Sequence, residues 1–317
     1  MDVVTIGETM VVFTPESSRL MRYAHSYSRR IGGAETNVAL GLIRLNHQVG
    51  WISKVGDDEF GKAVVSFVRG EGVDVSQVKV DSSAPTGVYF KEIRSGNQVR
   101  VSYYRKGSAA SKLTPSDIDE NYISRSKYLH ITGITPALSD TCYQTILRAI
   151  AIAKENDVKV VFDPNLRKKL WSEEKARKTL LELVALSDII LPGVEEGEFL
   201  LGETDPIKMG KRFLDYGPSL VIVKVGAKGA YYFNESDYGL VPGFPVKTVV
   251  DPVGAGDAFA AGILSGLLDG LPIESIVQRG NGMGALATQT EGDFEGLADR
   301  DQLEQLMSNA KYEDIVR

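Results

Sequence analysis

The chain has 317 residues, enough for one large α/β domain or two smaller ones. Hydrophobic residues make up 43% and charged residues 25%, ordinary for a globular protein, and a net charge of −6 argues against nucleic acid as the main partner. A single cysteine, Cys142, excludes an internal disulfide, and no apolar run reaches the roughly 18 residues needed to span a bilayer, so a cytoplasmic protein is expected.

The opening run "MDVVTIGETMVVF" reads as a first strand. Further short runs rich in valine and isoleucine lie at 49–56, 128–133, 158–163, 188–193 and 220–226, with the first centred on 3–7. Between them, apolar residues recur at helical spacing over 35–46, 58–72, 139–156, 172–187 and 205–217. Nearly continuous apolar strands separated by helices predict a doubly wound, mainly parallel sheet covered on both faces. In such sheets the loops after the strands carry the ligand site. Two stretches break the alternation: a polar, basic one at 17–33, and 86–109, where two β-rich runs flank "SGN" as in a hairpin. They fit a small β-rich lid over the strand ends, or else an exposed hairpin without a role at the site.

At 251–262 the chain reads "DPVGAGDAFAAG". Gly254, Ala255 and Gly256 stand where an apolar helix begins, so their amides lack intrahelical partners and the helix dipole favours an anion. Asp257 inside that cradle is placed to take a proton from an attacking hydroxyl, although an acid here also serves as a helix cap. A second glycine cluster, "IGGAETNVALGLIRLNHQVGWISKVGDDEFG", covers 31–61. No Gly-x-Gly-x-x-Gly follows the first strand, which sets aside a dinucleotide dehydrogenase.

These two segments, in their order and spacing, resemble the signature regions of the ribokinase-like (PfkB) carbohydrate kinases, and the similarity extends along essentially the whole chain. The resemblance implies one α/β kinase domain over 1–317 with lid segments at approximately 11–30 and 86–108. It also implies transfer of the γ-phosphoryl group of MgATP to a sugar hydroxyl. By it, Asp257 is the base and Gly254, Ala255 and Gly256 form the anion hole. Lys224, Gly226 and Gly229, in "VKVGAKGAYYF", would line the nucleotide site, with Asn281 beside the adenine. The family's Asn-x-x-Glu motif departs here: Gly193 replaces the asparagine, while Glu196 is retained to act on Mg²⁺ through water or simply as a first-turn acid. Monovalent-cation dependence is left open.

Charge narrows the acceptor. Tyr103, Arg105 and Lys106 fall in the lid, and Asn165 and Arg167 at a strand end. Two desolvated arginines in one cleft each need an anionic partner, which a neutral sugar does not supply. These segments resemble the 2-keto-3-deoxygluconate kinase branch, in which Gly33, Tyr89, Tyr103, Arg105, Asn165 and Arg167 would hold the substrate and Asp293 its hydroxyls. Glu8 stands near where neutral-sugar members carry an aspartate. The expected activity is phosphorylation of the 6-hydroxyl of 2-keto-3-deoxygluconate. A neutral ketose kinase (fructokinase) and a non-catalytic sugar-acid sensor are the alternatives. The family likeness further implies a homodimer, or a higher homo-oligomer, formed through the lid, and no membrane or nucleic-acid partner.

Overall fold

The computed structural model describes residues 1–16, 20–94 and 98–313, so the "SGN" turn at 95–97 lies outside the described residues. The strands in chain order are β1 (Val3–Ile6), β2 (Met10–Pro15), β3 (Tyr27–Gly32), β4 (Val49–Gly56), β5 (Val78–Asp81), β6 (Val88–Arg94) and β7 (Gln98–Tyr104). There follow β8 (Tyr128–Thr132), β9 (Lys159–Asp163), β10 (Ile189–Ile190), β11 (Leu220–Lys224), β12 (Gly229–Phe233) and β13 (Tyr238–Pro242). Nine of them form one sheet in the order β13-β12-β11-β10-β9-β8-β1-β4-β5, and four form a second in the order β3-β2-β6-β7.

From β5 to β11 the large sheet is parallel, with β12 and β13 added antiparallel at one edge. Val3, Val4 and Ile6 of β1 have no exposed surface, because adjacent side chains enter opposite cores. That two-sided burial accounts for the strands' unbroken apolar runs. Each fully buried Val, Leu or Ile contributes about 1.5–3 kcal/mol.

β1 lies between β8 and β4, so the chain winds outward in both directions from it. The carboxyl ends of β1 and β8 therefore border a switch-point crevice. The first apolar run is two strands rather than one: after β1 the chain turns through 7–9 and continues as β2 in the small sheet.

The helix Ala255–Leu268 begins at the opening glycines and is apolar on nearly all sides. It packs between the helices Ala34–Arg44 and Ile273–Ala287. A Cβ at Gly41 would come within 2.7 Å of the Ala261 Cβ, so the small residues after Asp257 permit close helix packing.

The expected helices appear as Ala34–Arg44, Glu59–Gly70, Asp140–Glu155, Glu173–Leu186 and Pro206–Leu214. Strand 188–193 shrinks to Ile189–Ile190, since Pro192 has no N–H to give a neighbour. Helix 205–217 stops three residues early, and Gly217 has φ of +124°. Helices Glu120–Ser124, Ile134–Leu138 and Arg300–Glu313 were not anticipated, and the helix Val194–Leu201 puts Glu196 in its first turn.

Candidate active site

A cavity of about 350 Å³ opens at the switch point, between the strand ends and the small sheet. Its floor is the start of the Ala255–Leu268 helix. Gly254 is the N-cap with φ of +82°, and a Cβ there would overlap the Asp293 carbonyl oxygen, so both conformation and contact demand glycine. A Cβ at Gly256 would meet nothing within 4 Å, so that position faces open space.

Asp257 lines the cavity and is half-buried, set deep among protein atoms at the helix start. Its Oδ2 accepts a hydrogen bond of 2.8 Å from Asn37 Nδ2. Burial pushes its carboxyl up to about 7 against that hydrogen bond; Asp163 and Glu35 add to the rise and Arg167 opposes it. A carboxylate poised there is well suited to take a proton near neutral pH. Asn37 and Glu35 come from the helix following the second glycine cluster, which begins at Ala34 with Gly33 as its N-cap. Glu35 is buried and accepts hydroxyl hydrogen bonds from Thr132 and Thr135 at 2.7 and 3.0 Å. Burial raises its carboxyl as well.

The small sheet forms one wall. Its two-residue period turns Tyr89 and Lys91 of β6 and Val101 and Tyr103 of β7 toward the cavity, with Tyr89 opposite Tyr103 and Lys91 opposite Val101. Phe90 and Tyr104 point the other way, into an aromatic group with Phe13 and Tyr27. The Tyr89 hydroxyl donates to Asp293 Oδ2.

Arg105, just beyond β7, lines the cavity but already has an anion. Its Nε donates to Glu8 Oε2 at 2.6 Å, both residues are buried, and Ser108 donates to the other Glu8 oxygen. Glu8 is therefore the internal counter-charge of Arg105. Arg167 differs: it is exposed to the cavity, and among the described residues no carboxylate lies within ion-pair distance of it. Asn165, two residues before it, is held at φ of +36° while its N–H bonds to Asp163 Oδ1 at 3.1 Å. The strand end thus presents a shaped polar turn.

Strands β9 and β11 end at Asp163 and Lys224, which form an ion pair of 2.8 Å. Burial pulls the Lys224 ammonium down, but Asp163 and Glu196 outweigh it and hold it above its ordinary range. Glu196 accepts the N–H groups of Gly193 at 2.8 Å and Leu166 at 2.9 Å, tying two strand-end loops together. Burial raises its carboxyl despite Lys224.

Beyond the Asp257 helix start lies a second, mostly apolar cavity of about 580 Å³. It is lined by Gly226, Gly229, Phe244, Val246, Phe259 and Asn281, which suits a flat heterocycle. Gly229 has φ of +106°, and a Cβ there would run into the Val241 carbonyl. Asn281 spends its amide on the carbonyls of Val241 and Pro242 at 3.0 and 3.1 Å, so it fastens the slot's wall. Lys224, Pro252 and Gly256 border both cavities.

All the sequence-derived acceptor residues (Gly33, Tyr89, Tyr103, Arg105, Asn165, Arg167 and Asp293) line the first cavity with Asp257. Gly226, Gly229 and Asn281 line the second, and Gly254, Ala255 and Gly256 lie at the junction. Sequence reasoning missed Asn37, Lys91, Asp163 and Asp251. Lys91 was accessible through strand alternation, two residues beyond Tyr89, whereas Asp163 stands at the visible end of an apolar run.

An acid-bearing helix start between a polar cavity and an apolar slot, at the switch point of an α/β sheet, defines a phosphotransferase with separate donor and acceptor sites. Residues 1–299 match the family described as pfkB family carbohydrate kinase, and the chain belongs to that family. It is 40% identical over 310 residues to the 2-dehydro-3-deoxygluconokinase of Bacillus subtilis (strain 168), covering 97% of this chain and 96% of that one. The 2-dehydro-3-deoxygluconokinase structure from Thermotoga maritima matches with a TM-score of 0.89 at 26% identity, covering 97% and 98% of the two chains. A putative Ribokinase II from E. coli in complex with ATP and Mg²⁺ matches with a TM-score of 0.90 at 29% identity, covering 97% and 99%.

Proposed function

We propose that the protein transfers the γ-phosphoryl group of ATP to the 6-hydroxyl of 2-keto-3-deoxygluconate, the compound also called 2-dehydro-3-deoxygluconate. The observation that carries this reading is Arg167, a cation without a carboxylate partner among the described residues, in the same cavity as Asp257. Arg167 is exposed and hydrated in the open cavity, so it is free to exchange that water for an acceptor carboxylate, to which it gives both charge and direction. The likeness to the two 2-dehydro-3-deoxygluconokinases supports the same acceptor.

In this reading Arg167, Asn165 and Tyr103 hold the acid and keto end, and Tyr89 and Asp293 hold hydroxyls. Gly33 lets the acceptor lie close to the backbone. Arg105 contributes shape and hydrogen bonds, its charge being matched by Glu8. Asp257, oriented by Asn37, takes the proton of the 6-hydroxyl as that oxygen bonds to the γ-phosphorus and the bond to ADP breaks. The free amides at 256 and 257 face the charge that develops, while that of Ala255 already donates to the Pro252 carbonyl at 3.4 Å. The small sheet acts as a lid whose closure excludes water.

The nucleotide spans the apolar slot and the helix start, with Lys224 beside its phosphates. Among the described residues no cluster of three metal-ligating side chains exists, and both Glu196 oxygens already accept N–H groups. That donor set fits Mg²⁺ held mainly by phosphates and water, with Glu196 acting through the water. When bound, the ion neutralises phosphate charge. A monovalent cation belongs to the same proposal, without an assigned site. So does a dimer through the small sheet, supported by exposed Tyr104 and Tyr23; sedimentation equilibrium giving a monomer at assay concentration would remove it.

The Glu8–Arg105 pair favours a second reading, a neutral ketose acceptor, because it leaves a single unmatched arginine. ADP release with 2-keto-3-deoxygluconate, fructose and ribose separates the two. We expect a strong preference for the keto acid, and Arg167→Ala to raise its KM at least about tenfold with the ATP KM unchanged. Preference for fructose, or a changed ATP KM alone, would overturn the assignment.

A further inference from the structure

Lys91 is a buried cation on the wall of the acceptor cavity that the phosphoryl-transfer scheme leaves without a task. Only 4% of it is exposed, and it reaches out of the small sheet rather than along it. Its Nζ lies 2.5 Å from Asp251 Oδ2 and 3.3 Å from Asp293 Oδ1. Those two carboxylates belong to different loops, and both loops shape the helix start. Asp251 opens the turn that leads into Gly254, with its Oδ1 accepting the Val253 N–H at 3.1 Å and its Oδ2 the Gly292 N–H at 3.2 Å. Asp293 places its backbone carbonyl against Gly254 Cα, and its side chain takes the Tyr89 hydroxyl from the same face of the same strand as Lys91. Three segments of chain thus meet at one ammonium group.

We propose that Lys91 is a positioning residue that couples the place of the small sheet to the shape of the helix start bearing Gly254, Gly256 and Asp257. The sheet that carries Tyr89 and Tyr103 toward the acceptor is thereby fastened, through Lys91, to the turn whose amides face the transferred group. Moving the sheet drags on Asp251 and Asp293. The amides at 256 and 257 reach their working arrangement only when the sheet is seated. Without the lysine the two carboxylates repel one another across a buried gap and the 251–254 turn relaxes. The nucleotide still finds its contacts and the acceptor keeps most of its own, but phosphoryl transfer slows far more than binding weakens, because small misplacements of reacting groups weigh heavily on turnover.

The test is Lys91→Ala, assayed by ADP release with whichever acceptor the parent turns over fastest, alongside circular dichroism and thermal melting. We expect kcat to fall about a hundredfold with the ATP KM within about threefold of the parent, and the acceptor KM, which Asp293 also influences, to rise by much less than kcat falls. We also expect methylammonium, small enough for the vacated space, to restore turnover saturably, while tetramethylammonium does not. A purely structural lysine would lower the melting temperature without that split and without amine rescue, and this result would overturn the proposal, as would an unchanged kcat. If the alanine variant does not fold, Lys91→Arg keeps the charge and alters the reach. A kcat at least about tenfold lower at unchanged KM supports the coupling, and parental kcat refutes it.

Discussion

In the proposed reaction Asp257 concentrates the chemistry in one carboxyl whose proton is held to about 7. Only its deprotonated form can act as a base, so kcat/KM should fall about tenfold per pH unit below 7 and level off above it. Asp257→Asn should lower kcat by about a thousandfold with KM for the acceptor largely kept; near-parental turnover would remove Asp257 from the role. The same shift bears on stability. The unfolded carboxyl releases its proton near 3.8 and the folded one near 7, so between these values the folded state binds more protons and its stability falls as pH rises. Asp257→Asn should therefore melt higher than the parent at pH 8, with the gap closing toward pH 4. An equal gap at both would show that the folded carboxyl is not raised.

The helix Ala255–Leu268 separates two kinds of glycine within three residues. Gly254 is fixed by its positive φ and by the Asp293 carbonyl, and Gly256 borders empty space. Gly254→Ala should lower the melting temperature and abolish activity together, with a stability loss of about 1–3 kcal/mol. Gly256→Ala should melt like the parent and still lose most turnover, because its methyl group enters the space where the two cavities meet. Equal melting losses for both would mean that the space is structural. Much of this element was legible beforehand: the glycines, the acid and the apolar run are local signals. The two β-rich runs of 86–109 likewise exposed a hairpin, whereas Tyr89 and Tyr103 were reached through the family resemblance. What the chain order concealed was pairing at a distance. Glu8 meets Arg105 across 97 positions, Asn37 meets Asp257 across 220, and Lys91 meets Asp251 across 160. No local pattern reports such partners. The expectation of two substrate-directed arginine charges failed to anticipate Glu8 for that reason.

Across the whole molecule, the winding of the sheet outward from β1 brings loops from five strand ends to one crevice, while the detours through β2–β3 and β6–β7 build the small sheet that supplies the opposing wall. Among the described residues no helix is long and apolar enough to cross a membrane. The boundary between the acceptor cavity and the apolar slot is thin: Lys224, Pro252 and Gly256 face both sides of it. A partition only three residues wide has a pharmacological consequence. One molecule can occupy both chambers, a sugar-acid end joined through a short polyphosphate to adenosine, and it loses its tumbling freedom once rather than twice. Such a tethered ligand should bind at least about a hundredfold more tightly than either fragment by isothermal titration, with the linker length that bridges Gly256 giving the sharpest optimum. Affinity no better than that of the stronger fragment would show that the chambers do not communicate.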